Sequence, residues 1–138
     1  MMQGKVSYLL RMVAPIGLVL SLFFLFTPSA SAAQTLIGPK PIYLAVGDSL
    51  AFGYQPLLEF SHGYTDDFYS NLQSHGTHTY VNVSCPGEST VTMINGQCPV
   101  PVLRKYPYIG SQLQAAVNYL HHHAGQVSPV TLDIGAND

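Results

Sequence analysis

Residues 41–50 read Pro-Ile-Tyr-Leu-Ala-Val-Gly-Asp-Ser-Leu, and they carry the strongest indication of the fold class. A short, continuous apolar run between a proline and a glycine is typical of a strand that is buried on both faces of a parallel sheet. In such sheets, ligands bind beside the carboxyl ends of the strands. We therefore predict a first strand over residues 42–46, with Ser49 exposed at the edge of the sheet where ligands bind.

Downstream of this strand, predicted helices and strands alternate along the chain. Second and third strands are predicted at residues 79–83 and 130–134, because both runs are apolar and rich in β-branched side chains. Helices are predicted at residues 65–74, 89–94 and 111–122. This alternation predicts an α/β domain with a parallel sheet and right-handed crossovers.

Two of the predicted helices carry apolar side chains at helical spacing, which indicates the faces that they bury. In the last helix, His121, His122 and His123 occupy the final turn, where a polar or charged helix end is their simplest role. The predicted buried stripes consist of Tyr64, Phe68 and Leu72 in the first helix, and of Leu113, Ala116, Val117 and Leu120 in the last.

Residues 1–32 have the three parts of a secretory signal peptide. Lys5 and Arg11 precede or border an apolar run at residues 12–26, and the sequence Ala30-Ser31-Ala32 offers a cleavage site. A membrane-spanning helix needs about 20 apolar residues, and this run is shorter and contains a proline and a glycine. We therefore expect cleavage after Ala32, export to the cell envelope or medium, and no stable membrane anchor, with a linker over residues 33–40.

The charge of the expected mature chain disfavours two classes of partner. Without the leader, three basic residues remain against seven acidic ones, a formal net charge of −4. Nucleic-acid binding needs clustered lysine and arginine, and anionic membrane surfaces also attract positive charge. We therefore expect neither nucleic acid nor an anionic membrane as a partner.

The mature chain contains two cysteines, Cys85 and Cys98. In an oxidising compartment, an even number of cysteines within one local segment predicts a disulfide, which here would close a loop of about 14 residues. Two free thiols remain the alternative.

Residues with catalytic chemistry follow all three predicted strands. Ser49 lies in Gly47-Asp48-Ser49-Leu50, but Ala51 stands where the nucleophile elbow of α/β-hydrolases requires glycine. A flexible glycine, Gly87, follows the second strand, and its N–H can approach a substrate oxygen closely. Asn137 follows the third strand, and its side chain offers a further N–H donor. Asp48 is expected to shape the turn.

These blocks resemble those of the GDSL lipase/esterase family of the SGNH hydrolase superfamily. That family is marked by a GDS(L) block, a loop glycine after the second strand, a GxND block (here residues 135–138) and a late D-x-x-H block. The resemblance implies a flavodoxin-like three-layer α/β/α sandwich with a five-stranded parallel sheet, of which this chain contains three strands. It also implies ester hydrolysis through an acyl-enzyme without a metal or cofactor, with Ser49 as nucleophile and with Ser49 N–H, Gly87 N–H and Asn137 as oxyanion donors.

One family block is absent, because no D-x-x-H follows Asn137. On this reading, residues 41–138 are the N-terminal part of a truncated hydrolase domain, and the catalytic histidine and acid lie beyond residue 138. A serine hydroxyl without its base is a poor nucleophile. We therefore expect this chain alone to have little or no esterase activity.

Two further interpretations stay open. A carbohydrate esterase would remove acetyl groups from sugars, and the Tyr106-Pro107-Tyr108 loop could stack on such a substrate or pack in a core. A non-catalytic relative would keep the binding cleft without the base. Under the leading interpretation the partner is a small-molecule, lipid or carbohydrate ester.

Overall fold

The structure, a computed structural model, describes residues 38–138. The predicted signal peptide at residues 1–32 and the first part of the predicted linker lie outside the described residues, so both remain predictions.

Three parallel strands form the sheet, in the order β2-β1-β3. Strand β1 spans Ile42–Gly47, β2 spans Thr79–Asn82 and β3 spans Val127–Asp133. Every residue of β1 is buried, as the apolar run predicts for a central strand. The register pairs Ala45 with Asn82 and Gly47 with Asp133, so the carboxyl ends of all three strands meet at one edge of the sheet.

Four helices connect the strands, together with two short 3-10 turns at Pro56–Leu58 and Pro101–Leu103. The helices are α1 (Ser49–Phe52), α2 (Tyr64–Gln73), α3 (Thr90–Asn95) and α4 (Gln112–His122). Helix α4 begins where the sequence predicts, because the Ser111 hydroxyl caps it by accepting the Gln114 N–H. It ends within the histidine run, also as predicted.

The helices cover both faces of the sheet, which confirms the predicted α/β/α arrangement and the flavodoxin-like layering of its first three strands. On one face, Leu44 and Val46 of β1 pack with Met93 of α3 and with Tyr119 of α4. The opposite face is smaller and aromatic. There Tyr43 and Ala45 pack with Leu72 of α2, and the Tyr43 ring stacks on Tyr80 at 5.2 Å between centroids.

The predicted buried stripes are partly wrong. Leu72 is buried, but Tyr64 and Phe68 remain 41% and 37% exposed, and Thr65 takes the buried position between them. Helix α4 buries Gln112, Ala115, Ala116 and Tyr119, while Leu113 and Val117 are exposed. The face is rotated because a polar residue, Gln112, makes hydrogen bonds inside the core.

The third strand is longer than predicted, since it begins at Val127 and includes Pro129. Its apolar residues Val130 and Leu132 are exposed, and no other strand among residues 38–138 pairs with its outer edge. None of the helices described between residues 38 and 138 has the length and hydropathy needed to cross a membrane.

Candidate active site at the carboxyl edge of the sheet

Ser49 is the first residue of α1, immediately beyond the end of β1. The Asp48 side chain caps the helix, with Oδ1 accepting the Leu50 N–H at 2.9 Å. Asp48 is buried, and its capping hydrogen bond shapes the turn, as the sequence predicts. Ser49 itself is partly exposed. The turn thus presents the hydroxyl of Ser49 at the edge of the sheet.

Gly47 allows the ends of β1 and β3 to approach each other. Its φ is +148°, and a Cβ at this position would lie 2.0 Å from the Asp133 carbonyl oxygen. The next residue, Asp48, donates its N–H to the same oxygen at 2.9 Å. Only glycine fits here, because any side chain would displace the strand that leads to Asn137.

The loop after β2 begins against the same strand end. Cys85 N–H donates to the Gly47 carbonyl oxygen at 3.0 Å, and two residues later Gly87 adopts a φ of +79° and is exposed. Cys85 and Cys98 form the predicted disulfide, with Cα atoms 5.7 Å apart. Both cysteines are buried, so the bridge fastens the Gly87 loop to the segment that follows α3.

The segment after β3, which contains Asn137, contacts the loop after β2. Asn137 Nδ2 donates to the carbonyl oxygen of Glu88 at 2.8 Å. Asp138 Oδ1 accepts the N–H of Thr90, the first residue of α3, at 2.7 Å. Loops that follow three different strands are therefore joined by direct hydrogen bonds.

Gln112 and Glu88, which the sequence analysis does not select, link these loops from their buried side. The buried Gln112 amide bonds both backbone polar groups of Gly47, and its Nε2 also donates to Glu88 Oε2 at 3.2 Å. Glu88 is fully buried, and burial raises the pKa of its carboxyl above the usual value, against the lowering effect of the hydrogen bond from Gln112. A glutamine beside the apolar stripe of α4 was the available sequence signal for this contact.

Several N–H donors at this edge are free or partly free. Within residues 38–138, no acceptor takes the backbone N–H of Ser49 or of Gly87. Asn137 Nδ2 uses one of its two hydrogens on Glu88, which leaves the other available. An electronegative atom at this edge of the sheet would therefore find unpaired donors.

No histidine of residues 38–138 hydrogen-bonds Ser49. His62 pairs with Asp67 at 2.7 Å on the surface, and this hydrogen bond raises the pKa of the imidazole. His122 and His123 use Nδ1 on the carbonyl oxygens one turn earlier in α4. The remaining three, His75, His78 and His121, are exposed.

No family model, curated protein or solved structure matches this chain. The resemblance to the GDSL family therefore stays a prediction that rests on the motifs. The sheet of three parallel strands is observed directly and does not depend on that family assignment.

Two cavities lie beside the segment of residues 97–110, and neither is lined by Ser49, Gly87 or Asn137. A cavity of about 700 Å³ lies between residues 106–109 and α4 and is lined largely by aromatic and histidine side chains. A second, of about 140 Å³, is lined by residues that include Cys98 and Tyr108. The side chains of Cys85, Glu88 and Cys98 also cluster, but their sulfurs are bonded to each other and offer no thiolate ligand.

A buried hydrogen-bond group fixes α1 from the opposite side. Asn82 Nδ2 and Thr65 Oγ1 both donate to the Ala51 carbonyl oxygen, at 2.9 and 2.8 Å. Asn82 Oδ1 also accepts the buried Ser84 N–H at 3.0 Å. This group holds the short helix that begins with Ser49 against β2 and α2.

Replacing Asn82 with alanine should lower the free energy of unfolding by about 2–3 kcal/mol, because the Ser84 N–H would be left buried without an acceptor. Urea denaturation followed by circular dichroism measures the change. Asn71→Ala is the control, since Asn71 is an exposed residue of α2. Equal midpoints for the two variants would contradict the prediction.

Proposed function

We propose that this chain belongs to a serine hydrolase of the GDSL/SGNH type that cleaves carboxylic esters through an acyl-enzyme. The observation that carries the proposal is the joining of the three motif loops by hydrogen bonds. Gly47 is bonded to Gln112, Gln112 to Glu88, and Glu88 to Asn137. Serine, loop glycine and asparagine are the residue types that this chemistry needs, and the hydrogen bonds bring their loops together.

In the proposed reaction, Ser49 Oγ attacks the ester carbonyl carbon while a base removes its proton. The carbonyl oxygen becomes an oxyanion, and the proposed donors to it are the N–H groups of Ser49 and Gly87 and the free hydrogen of Asn137 Nδ2. Each such donor contributes about 3 kcal/mol of transition-state stabilisation in enzymes of this kind. The alcohol leaves, and water then releases the acid from Ser49.

The base is proposed to come from outside the described residues. The six histidines of this chain all lie between residues 62 and 123, and none of them hydrogen-bonds Ser49. A D-x-x-H block contributed elsewhere would supply both the imidazole and the carboxylate that orients it. The chain alone should therefore hydrolyse esters slowly or not at all.

Export is part of the proposal. The buried Cys85–Cys98 disulfide is compatible with an oxidising compartment, where such bonds persist. The leader at residues 1–32 supports the same destination on sequence grounds.

Labelling of Ser49 by a fluorophosphonate tests the proposal on this chain, if imidazole is added as an external base. The Ser49 oxygen would bond to phosphorus, fluoride would leave, and the proton would pass to imidazole. Mass spectrometry of the purified chain should find the adduct on the peptide that contains Ser49, at a rate that rises with imidazole concentration.

Ser49→Ala should remove the adduct, whereas Ser61→Ala, which alters an exposed serine in the following loop, should keep it. If no adduct forms on Ser49 at any imidazole concentration in the folded chain, the interpretation as a non-catalytic relative replaces that of an esterase.

A further inference from the structure

The Gln112 side chain forms two hydrogen bonds with the Gly47 backbone, one as acceptor and one as donor. Its Oε1 accepts the Gly47 N–H at 2.8 Å, and its Nε2 donates to the Gly47 carbonyl oxygen at 2.9 Å. Gln112 is fully buried and lies 65 residues away along the chain. Because Gly47 is two residues before Ser49, this amide fixes the backbone from which the proposed nucleophile projects.

The same amide reaches the second motif loop through Glu88. Gln112 Nε2 donates to Glu88 Oε2, and Glu88 directly follows Gly87, whose N–H is a proposed oxyanion donor. The backbone oxygen of Glu88 in turn accepts from Asn137. Glu88 thus adjoins Gly87, bonds Asn137 and reaches Gly47 through Gln112, while being closed off from solvent.

The Glu88 carboxyl has no cation to balance a negative charge. No salt bridge among residues 38–138 involves Glu88, and its Oε1 has no hydrogen-bond partner. An isolated carboxylate in such a site is strongly disfavoured relative to the neutral acid. In its neutral form Glu88 would still accept the hydrogen bond from Gln112 and would add no charge beside a developing oxyanion.

We propose that Gln112 and Glu88 are positioning residues, which hold the Ser49 and Gly87 backbone N–H groups at the mutual distance that an oxyanion requires. The proposal rests on the proposed function, because it concerns the donors of that same site. Neither side chain is assigned a contact with substrate. Misplacing catalytic groups by about 1 Å costs on the order of 100-fold in rate, so the effect should be measurable.

The test measures the rate of fluorophosphonate labelling of Ser49 in the whole chain with imidazole, divided by the folded fraction from circular dichroism. Gln112→Met keeps the volume of the side chain but removes its hydrogen bonds, and should slow labelling by about 10- to 100-fold. Gln114→Met is the matched control. Gln114 lies on the same helix but is exposed, and its side chain hydrogen-bonds Asn118 rather than the motif loops, so labelling should be unchanged.

Conservative replacement separates positioning from general stability. Glu88→Gln retains a neutral acceptor for Gln112 and should label within about 2-fold of the unaltered chain, whereas Glu88→Leu removes the acceptor and should label about 10-fold more slowly. If Gln112→Met does not fold, this pair of Glu88 variants decides the question. Equal labelling rates for Glu88→Leu, Glu88→Gln and the unaltered chain would overturn the proposal.

A second readout does not depend on labelling. In ¹H–¹⁵N NMR spectra, Gln112→Met, or Glu88→Leu in its place, should shift or split the amide signals of Ser49 and Gly87, and Gln114→Met should leave both unchanged. If the unaltered chain fails to label but the signals respond in this way, the proposed function fails and the coupling of the two loops stands. If the chain labels but the signals do not respond, the positioning role is wrong.

Discussion

Gly47→Ala should destabilise this protein by about 4 kcal/mol or more, which is exceptional for a single methyl group. The added Cβ would lie 2.0 Å from the Asp133 carbonyl oxygen and 2.9 Å from Ala51 Cβ, both far inside van der Waals contact. The oxygen belongs to the backbone of β3, so it cannot move without disturbing the sheet. The φ of +148° adds strain for any residue with a side chain.

Gly125→Ala is the control for backbone conformation alone. Gly125 also has a positive φ, +77°, but a Cβ there would meet nothing within 4 Å. Its cost should be about 1 kcal/mol, the usual penalty for alanine in the left-handed region. Urea denaturation curves measure both variants against the unaltered chain. Similar losses of stability in the two variants would mean that the contact between Gly47 and β3 is not the cause.

The effect should extend to the site, because Gly47 belongs to the fold and to the hydrogen-bond network at once. Its N–H and carbonyl oxygen bind Gln112, and the same carbonyl oxygen accepts from Cys85. The residue that permits the strands to meet is therefore also the one on which the Ser49 turn and the Gly87 loop converge.

Most of the fold follows from local patterns in the sequence. The run at residues 42–46 predicts a fully buried strand, and β1 is one; the predicted bounds of β2 and α4 lie within one residue of those observed. These patterns succeed because strand burial and helix capping depend on residues that are near each other in the chain. The predicted disulfide is confirmed for the same reason, since its cysteines lie 13 residues apart.

The faces of the helices are harder to predict. Apolar spacing selects Leu113 and Val117, yet α4 turns Gln112 and Tyr119 toward the sheet. A glutamine in a helix is normally predicted to be exposed. Gln112 is buried because its side chain hydrogen-bonds the backbone of Gly47. Backbone groups leave no trace in side-chain patterns, so the sequence can show a glutamine beside the apolar stripe but not the backbone group that it binds.

The same reasoning applies to the candidate site. The motifs select Ser49, Gly87 and Asn137, and the structure joins the loops that carry them. Glu88 was overlooked although it adjoins Gly87, because a glutamate in a loop is normally a solvated surface residue. Its carboxyl lies within 4.8 Å of both sulfurs of the disulfide and bonds Gln112, which belongs to a segment distant in sequence.

Replacing both Cys85 and Cys98 with alanine should lower the free energy of unfolding by about 3 kcal/mol, the value expected from loop entropy for a bridge of this span. Urea denaturation of the variant should match that of the unaltered chain after reduction with dithiothreitol. Dithiothreitol should not change the urea midpoint of the variant. This control shows that the reductant acts on the unaltered chain through the disulfide. An unchanged midpoint in both cases would contradict the prediction.

The bridge should also affect the proposed donor at Gly87. Cys85, at the start of the Gly87 loop, is held to β1 through the Gly47 carbonyl oxygen and to Cys98 through the disulfide. Without it, the loop retains the contacts of Glu88 with Gln112 and Asn137. Labelling of Ser49 per folded molecule should therefore fall less than in Gln112→Met. If it falls as far, the bridge rather than the buried amide sets the position of Gly87; if it does not fall at all, the bridge contributes to stability alone.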